Sequence, residues 1–538
     1  MAGVPPNSLR QDELPEYPYV GPFGGINSEV PLDKIGRSGF QEVQNIIFRK
    51  SQARSIPAFT PLASPSGEPI IGIGDFFNVN GTRIAVLWTP TKMYKYVSGV
   101  YTQITGALTG NTAQFMQWDV VGYKLYFSQD KDVVQVWDGI TAGFAPASGS
   151  AVPGKYLCEF DTHLLVANTI EAGPTNAPNR LRWTGAGDGT DWTSFSSGQQ
   201  DAFNGLGPIN GLSRIYQSAY LFQQWGITQI VRTGIGLAPF QLIPMGSRAK
   251  GSILPYGVAT FGEIVSCYVG KNNIYMFDGT ESVPIGSHPI DGNRYLGARG
   301  RIFSDLFIAL QTNIFGIILT SANGNDYESY WIIMPGLNKA WVYHFDEGSW
   351  TQVFFNPSQL LGPVGVLPLQ SVPRIMDLIG TIQSQTWSPS SLTNSNQLDT
   401  MVISDANANS VSYLNFGAPS SVPTSGSINS NDGWYIKSGQ LEFDDPRHGH
   451  TVKKVRLSLI DYAAVTINMR WTNEFGQTQT KTLSYGSGSG ATLKRVMEFS
   501  LPGKYLTWEL SGPQGINWGM SEITPIYDTS GEVQGGTR

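Results

Sequence analysis

The stretch Tyr123-Lys-Leu-Tyr-Phe-Ser-Gln-Asp-Lys-Asp-Val-Val-Gln-Val-Trp137-Asp138-Gly139 carries the pattern on which the rest of the chain is built. A short apolar run, Tyr123 to Phe127, leads into a polar turn. A second run, Val133 to Val136, ends in an aromatic and then Asp-Gly. Such runs read as antiparallel strands. Asp and Gly suit the tight connection that follows, because Gly reaches positive φ and Asp bonds locally to backbone amides. Relatives of this unit lie on both sides. Arg83 to Trp88 precedes Met93 to Tyr96, and Leu164 to Ala167 precedes Leu181-Arg182-Trp183. Tyr220 to Phe222 precedes Ile227 to Val231, and Ile274 to Phe277 runs into Asp278-Gly279. Tyr330 to Met334 precedes Trp341 to Phe345 with Asp346, and Met401 to Ile403 precedes Val411 to Leu414.

One comparable residue per unit gives Tyr94, Val136, Arg182, Ile230, Tyr275, Tyr343 and Tyr413. The first four gaps are 42, 46, 48 and 45 residues, close to the ~40–50 of one propeller blade. The last two, 68 and 70, require insertions or a missed unit. A four-stranded antiparallel sheet cannot bury both faces alone, and packing such sheets around an axis solves that. The expected fold is all-β: a β-propeller of six to eight blades over residues 61–420, with an extended N-terminal arm and a C-terminal β-sandwich-like domain.

Composition agrees. Among 538 residues, 62 are Gly and 33 Pro, while charged residues make up only 14% and aromatics 12%. Frequent breakers exclude long helices, and aromatic-rich, charge-poor sequence argues against disorder. A net charge of −6 argues against a generally basic, DNA-gripping surface. Two cysteines, Cys158 and Cys267, are too few for a disulfide framework and read as buried free thiols. Met1 to Arg10 lacks the apolar core of a signal peptide, so folding in a cytoplasm is expected. The most apolar stretch, Leu306 to Thr320, is interrupted by Gln311, Thr312 and Asn313, and reads as two buried strands around a polar turn.

The flanks differ from the repeats. Pro5, Pro6, Pro15, Pro18 and Pro22 make residues 1–60 an extended arm. Its one helical pattern, Ser38 to Phe48, has Phe40, Val43 and Ile47 on one face. After a Ser/Pro/Asn/Gly linker, Ser420 to Gly433, residues 421–538 alternate with period two. Val455, Leu457 and Leu459, then Val465, Ile467, Met469 and Trp471, then Met497, Phe499 and Leu501, then Leu506, Trp508 and Leu510 mark buried faces.

No site pattern for catalysis, cofactor or metal emerges. There is no Walker loop, nucleophile elbow or His-Glu-x-x-His. Gly72-Ile-Gly74 and Gly234-Ile-Gly236 lack the context of a dinucleotide fingerprint and read as turns. His448 and His450 have metal-pair spacing but sit beside the charged loop Asp444 to Arg447. Asp188 and Asp191 offer carboxylates for calcium without the ligand spacing of an EF-hand, and read as a turn anchoring Trp192. Trp88, Trp118, Trp137 and Trp225 read as blade packing before sugar platforms. Arg294, Arg299 and Arg301, and Arg447, Lys453, Lys454 and Arg456, read as mixed surface.

Phe23-Gly24-Gly25-Ile26-Asn27, then Glu42-Val-Gln-Asn45 and Arg54-Ser-Ile-Pro-Ala-Phe59, resemble the opening of β-propeller virion proteins of tailed phages. Asn179-Arg-Leu-Arg-Trp183 and Gly187-Asp188-Gly-Thr-Asp191-Trp192 are similar to a segment common in the same proteins. The closest group is the tail nozzle, or packaged-DNA stabilisation, proteins of short-tailed phages. The long gaps after Tyr275 and the C-terminal domain depart from that pattern.

The resemblance implies a structural virion protein without catalysis, assembled in the host cytoplasm as a homo-hexameric ring in the tail. Its partners would be the adaptor below the portal, tail fibres, and double-stranded DNA that passes without sequence-specific binding; no stable membrane insertion is implied. Gly24, Gly25, Asn27, Asn45 and Arg54 would form the docking motif of the arm, on the adaptor or a neighbour. Trp137, Asp138, Gly139, Trp183, Asp188, Asp191, Trp192, Phe277, Asp278, Gly279, Phe345 and Asp346 would be turn and blade positions. The competing readings are a receptor- or glycan-binding propeller and a propeller glycosidase, which needs carboxylates gathered at one mouth of the axis.

Overall fold

A computed structural model describes residues 14–532 apart from 22, 57–58, 63–66, 98–99, 111–114, 173–174, 292–293, 310–313, 321–327, 356–360, 368–399, 406–409, 415–432, 442, 444–447, 461–463, 488–492 and 514–517. Among the described residues are seven four-stranded antiparallel units arranged as a β-propeller. Blades 1 to 6 span 72–104, 117–146, 154–201, 209–244, 259–284 and 315–354. Each runs in order from an innermost to an outermost strand. Blade 7 takes three strands from 361–414, and its outermost strand is Phe59–Leu62 from the other end of the chain. Blade 7's innermost strand lies beside that of blade 1, closing the circle. The N-terminal segment thus completes blade 7 and ties the two ends of the propeller together.

All seven marker residues, from Tyr94 to Tyr413, fall on the third strand of their blades. The gap of 68 holds an insertion between blades 5 and 6, a hairpin (Ser287–Asp291 with Arg294–Gly297) and the α-helix Arg299–Ile308. The gap of 70 contains residues 368–399, which lie outside the described residues.

Two local expectations are corrected. Ser38 to Phe48 is not a helix but two strands, Gly39–Gln44 and Ile46–Arg49. Asn45 sits between them at φ 55, a left-handed conformation that interrupts any helix. Val43, Ile46 and Ile47 also favour the pleated surface that neighbouring strands offer. The Leu306 to Thr320 stretch is half helix, since Leu306 and Ile302 bury one face of Arg299–Ile308; only Phe315–Thr320 is a strand.

The C-terminal sandwich packs two sheets. One has the order Ile46–Arg49, Gln52–Ser55, Gly519–Glu532, His448–Ile460, Leu493–Gly503. The other contains Gly39–Gln44, Trp434–Ser438, Leu506–Gly512, Val465–Asn473 and Thr478–Tyr485. This second sheet does not stop at the sandwich. Through Gly25–Ile26 it continues into the outermost strand of blade 6, making ten strands in one sheet. The period-two positions Val465, Ile467, Met469 and Trp471 are all buried, as are Leu506, Trp508 and Leu510. Arm residues share that core: Phe40 stacks near Phe48 with ring centroids 6.0 Å apart, and Tyr19 meets Trp508 edge-on at 5.3 Å. No helix among the described residues is long and apolar enough to cross a membrane.

Candidate functional site: the turns and mouth of the propeller

Each blade's third strand ends on the face where the innermost strands also end, here called the front face. The aromatic-Asp-Gly signature lies there. Asp138 Oδ1 accepts hydrogen bonds from the amides of Ile140 (2.8 Å) and Thr141 (2.7 Å) and from the Thr141 hydroxyl (2.8 Å). Asp278 does the same with Thr280 and Glu281. Burial opposes ionisation of both carboxyls, but these donors outweigh it and hold them below the usual carboxylate range. The glycines do more than turn. Gly139 has φ +77, and a Cβ there would stand 2.8 to 3.0 Å from Ile84, Phe76 and Asn78 of blade 1. At Gly279 the carbonyl accepts from the Tyr220 hydroxyl of blade 4 (3.2 Å). Phe345, beside Asp346 in blade 6, faces Phe261 of blade 5 at 6.4 Å. In blades 2, 5 and 6 the third turn is therefore a clip that grips the blade before it.

In blade 3 the Asn179 to Trp183 motif separates by alternation. Leu181 and Trp183 are buried, and Trp183 donates to the Ser196 carbonyl (3.1 Å). On the opposite face Arg180 pairs bidentately with Asp201 (2.6 and 2.9 Å) and Arg182 with Glu171 (3.0 and 2.5 Å). Hydrogen bonds and charge from these arginines overcome the burial of Glu171 and hold its carboxyl low. Asp188 accepts from Thr190, and Asp191 from the amides of Thr193 (3.2 Å) and Ser194 (3.0 Å). The loop they shape drops Trp192 between blades 2 and 3, against Tyr126 and Leu157. These carboxylates cap backbone, and among the described residues no His/Cys/Asp/Glu group has the makings of a metal site.

The N-terminal motif holds the arm against this chain's own body. A Cβ on Gly25 (φ +68) would strike the Trp350 backbone of blade 6 at 2.6 Å. Gly24 donates its amide to Ser38 (2.6 Å), and the Asn27 side chain caps Glu29 (3.2 Å). Arg54 is braced by Gln52 (2.6 and 3.0 Å). Asn45 is the junction: its side chain accepts from the Phe354 amide of blade 6 (2.8 Å) and donates to the Gly433 carbonyl beside the sandwich (3.2 Å). Residues 1–13, with Pro5 and Pro6, lie outside the described residues, as do Pro22, Arg447 and most of the 420–433 linker.

Carboxylates do gather at the front mouth of the axis. Asp119, Glu159 and Glu263 come from blades 2, 3 and 5, and Arg214 of blade 4 pairs with both glutamates. Asp119 accepts from the amides of Glu159 (2.6 Å) and Val120 (2.7 Å). Its carboxyl is pushed up to about 6, by burial first and by the Glu159 charge, against those amides and Arg214. At the rear, Phe115, Tyr156, Tyr256 and Phe315 crowd the axis around a cavity of about 190 Å³, with Phe115 and Phe315 centroids 4.8 Å apart. The axis of a single propeller is thus narrowed by aromatic rings.

The remaining candidates are structural. His450 is buried against Phe443 and Tyr527. Arg301 donates to the Gln41 carbonyl (2.9 Å) and Arg456 pairs with Glu16 (2.7 Å). Cys158 and Cys267 are buried free thiols, both pushed well above the ordinary thiol range by burial. Sequence reading missed the mouth cluster, whose members lie up to 144 positions apart (Asp119 to Glu263). Their only signal was a charge near or just past the end of the first strand in blades 2 to 5.

No protein-family model matches the chain, and no curated protein matches it. Similar solved structures include BamB from Moraxella catarrhalis, at 9% identity over 69% of this chain and 94% of that chain, TM-score 0.33. The N-terminal domain of Nup159 is similar at 10% identity over 69% and 97%, TM-score 0.35. YCF48 from Cyanidioschyzon merolae is similar at 8% identity over 66% and 98%, TM-score 0.34. Likeness at this level carries nothing about function. The chain is a β-propeller by its own sheets.

Proposed function

We propose that this chain is a non-catalytic structural protein of a phage tail: a nozzle subunit that assembles as a hexameric ring, extends the DNA channel, retains the genome and later lets it pass. The observation that carries this reading is the state of the propeller axis. Aromatic rings crowd its rear, and the carboxylates of its front mouth are held by backbone amides and Arg214. On this reading DNA runs down the centre of the ring, between subunits, rather than along the axis of one propeller. The outer surface of the body is what works. The resemblance of the Gly24–Asn27 and Asn179–Trp192 segments supplies the virion context, with adaptor and fibres as partners and the tail as location. The weld of arm, blade 6 and sandwich suits a part that bears internal pressure.

The test is the assembled mass and shape of the purified protein, by light scattering and negative-stain imaging, alone and with adaptor. Sixfold rings of the 58.6 kDa chain are the expected result; persistent monomers even with adaptor would overturn the reading. One observation favours a second reading, a glycosidase: Asp119, raised to about 6, stands beside other carboxylates at the mouth. Glycan hydrolysis abolished by Asp119→Asn would establish it.

A further inference from the structure

The exposed apolar side chains of the propeller are distributed unevenly. On the front face Val79, Tyr123, Phe195, Tyr216, Leu237 and Ile264 point to solvent, with Phe195 72%, Leu237 75% and Tyr216 60% exposed. The rear face carries Phe203 and Trp225. The turns that carry the front positions adjoin one another in pairs. Gly139 of blade 2 abuts Asn78 beside Val79, and Gly122 beside Tyr123 lies against Gly187 of blade 3. Gly236 beside Leu237 lies 3.3 Å, measured from a Cβ built on it, from the Phe195 ring, and the Tyr216 amide donates to Glu263 (2.7 Å) beside Ile264. Exposed apolar side chains therefore stand on adjoining turns across blades 1 to 5. Large exposed apolar side chains gathered on one face in this way point to a protein contact. The turns between these side chains are mainly acidic: Asp138, Asp161, Asp188, Asp191, Glu263 and Asp278 stand there against Lys124, Arg214 and Arg232.

The opposite chemistry lies elsewhere on the same chain. Thr478–Tyr485 and Leu493–Gly503 end their two sheets, and among the described residues neither has a strand on its outer side. That edge exposes Lys481, Lys494 and Arg495 around the exposed Val496, against the single exposed carboxylate Glu498.

We infer that the front face of one copy receives the basic sandwich edge of a second copy. The contact is heterologous, front to edge, and such contacts close into rings when the rotation allows. The inference rests on the ring reading above and names the surfaces that make it.

The test uses two full-length variants. Phe195→Asp with Leu237→Asp spoils the front face, and Lys494→Glu with Arg495→Glu spoils the edge; none of these side chains is buried. Circular dichroism and thermal melting check folding. Each variant alone is expected to be monomeric by light scattering. Mixed, they should form a dimer that grows no further, since one retains its edge and the other its front. Rings from either variant alone, or a mixture that stays monomeric, would overturn the inference. Wild-type rings that survive both sets of changes would sink this contact while leaving the nozzle reading standing. Wild-type protein that never forms rings, even with adaptor, would sink both.

Discussion

Blades 1 to 5 and the body formed by blade 6, the arm and the sandwich use the same strands in opposite ways. In blade 2 every ladder joins segments that follow one another directly, as Val121 pairs with Lys124 and Leu125 with Trp137. In the other body Gln44 pairs with Tyr435, Arg54 with Gly519, and Gly25 with Trp350. The first region is held by local turns and by clips between successive blades. The second is held by a segment near the start of the chain, inserted between parts made hundreds of residues later. Local ladders close short loops and non-local ones long loops, so the two regions should differ in folding and in how damage spreads.

Removing the shared core is the severest test of that division. Phe40→Ala is expected to cost about 3–5 kcal/mol, as burial of a large aromatic would suggest. In hydrogen exchange it should release the sandwich and blade 6 together and leave blades 1 to 5 protected. Equal loss of protection everywhere would mean the two regions are one cooperative unit.

Asn45→Ala comes next. It strips a buried amide from the Phe354 amide and the Gly433 carbonyl, costing roughly 2–4 kcal/mol in chemical denaturation. Asn78→Ala, whose side chain serves only amides of its own turn in blade 1, should cost less, about 1 kcal/mol. Equal losses would remove the special place given to the junction.

The clips are tested by a pair of glycines. Gly139→Ala meets both positive φ and the blade 1 side chains, for about 2–3 kcal/mol. Gly187→Ala has the same φ but nothing within 4 Å of the new Cβ, and should cost about 1 kcal/mol. A difference near zero in melting would show that the turns do not grip neighbouring blades.

The last test is in pH. Asp119 has its folded pKa raised to about 6, above the ordinary Asp value, so the folded state binds the proton more tightly than the unfolded chain. Stability from this group is present below the ordinary value and is lost as pH rises from about 4 to 6. Asp138, Asp191 and Asp278 are lowered and act on the acid side of that window. Stability measured across pH 4 to 6 should therefore decline more for wild type than for Asp119→Asn. Parallel profiles would show that the mouth carboxyl is not perturbed.

The same division explains what could be read from the residues. Blades built from consecutive runs announce themselves, which is why Tyr94 to Tyr413 all land on third strands. Strict alternation likewise marks Val465 to Trp471 as one buried face. The Ser38 to Phe48 stretch misleads because its spacing also fits a helix. Its actual partners, Trp434–Ser438 and blade 6, are invisible to any local window. The Asp-Gly turns show their conformation in sequence but not their grip on the next blade, because Ile84 and Phe76 lie more than fifty positions away from Gly139. The mouth cluster stays hidden for the same reason, since only the closed circle brings Asp119, Glu159 and Glu263 to Arg214.

The strand Phe59–Leu62 that completes blade 7 has a consequence for the order of synthesis. It leaves the ribosome long before Ser410–Leu414, the strand it pairs with. At about 5–20 residues per second, the ~350 residues between them take roughly 20–70 s to make. For that interval Phe59–Leu62 lacks the strand it pairs with, while blades 1 to 5 can already form behind it. The nascent protein is then an open string of blades with a sticky leading end. Only the last quarter of translation turns it into a closed object.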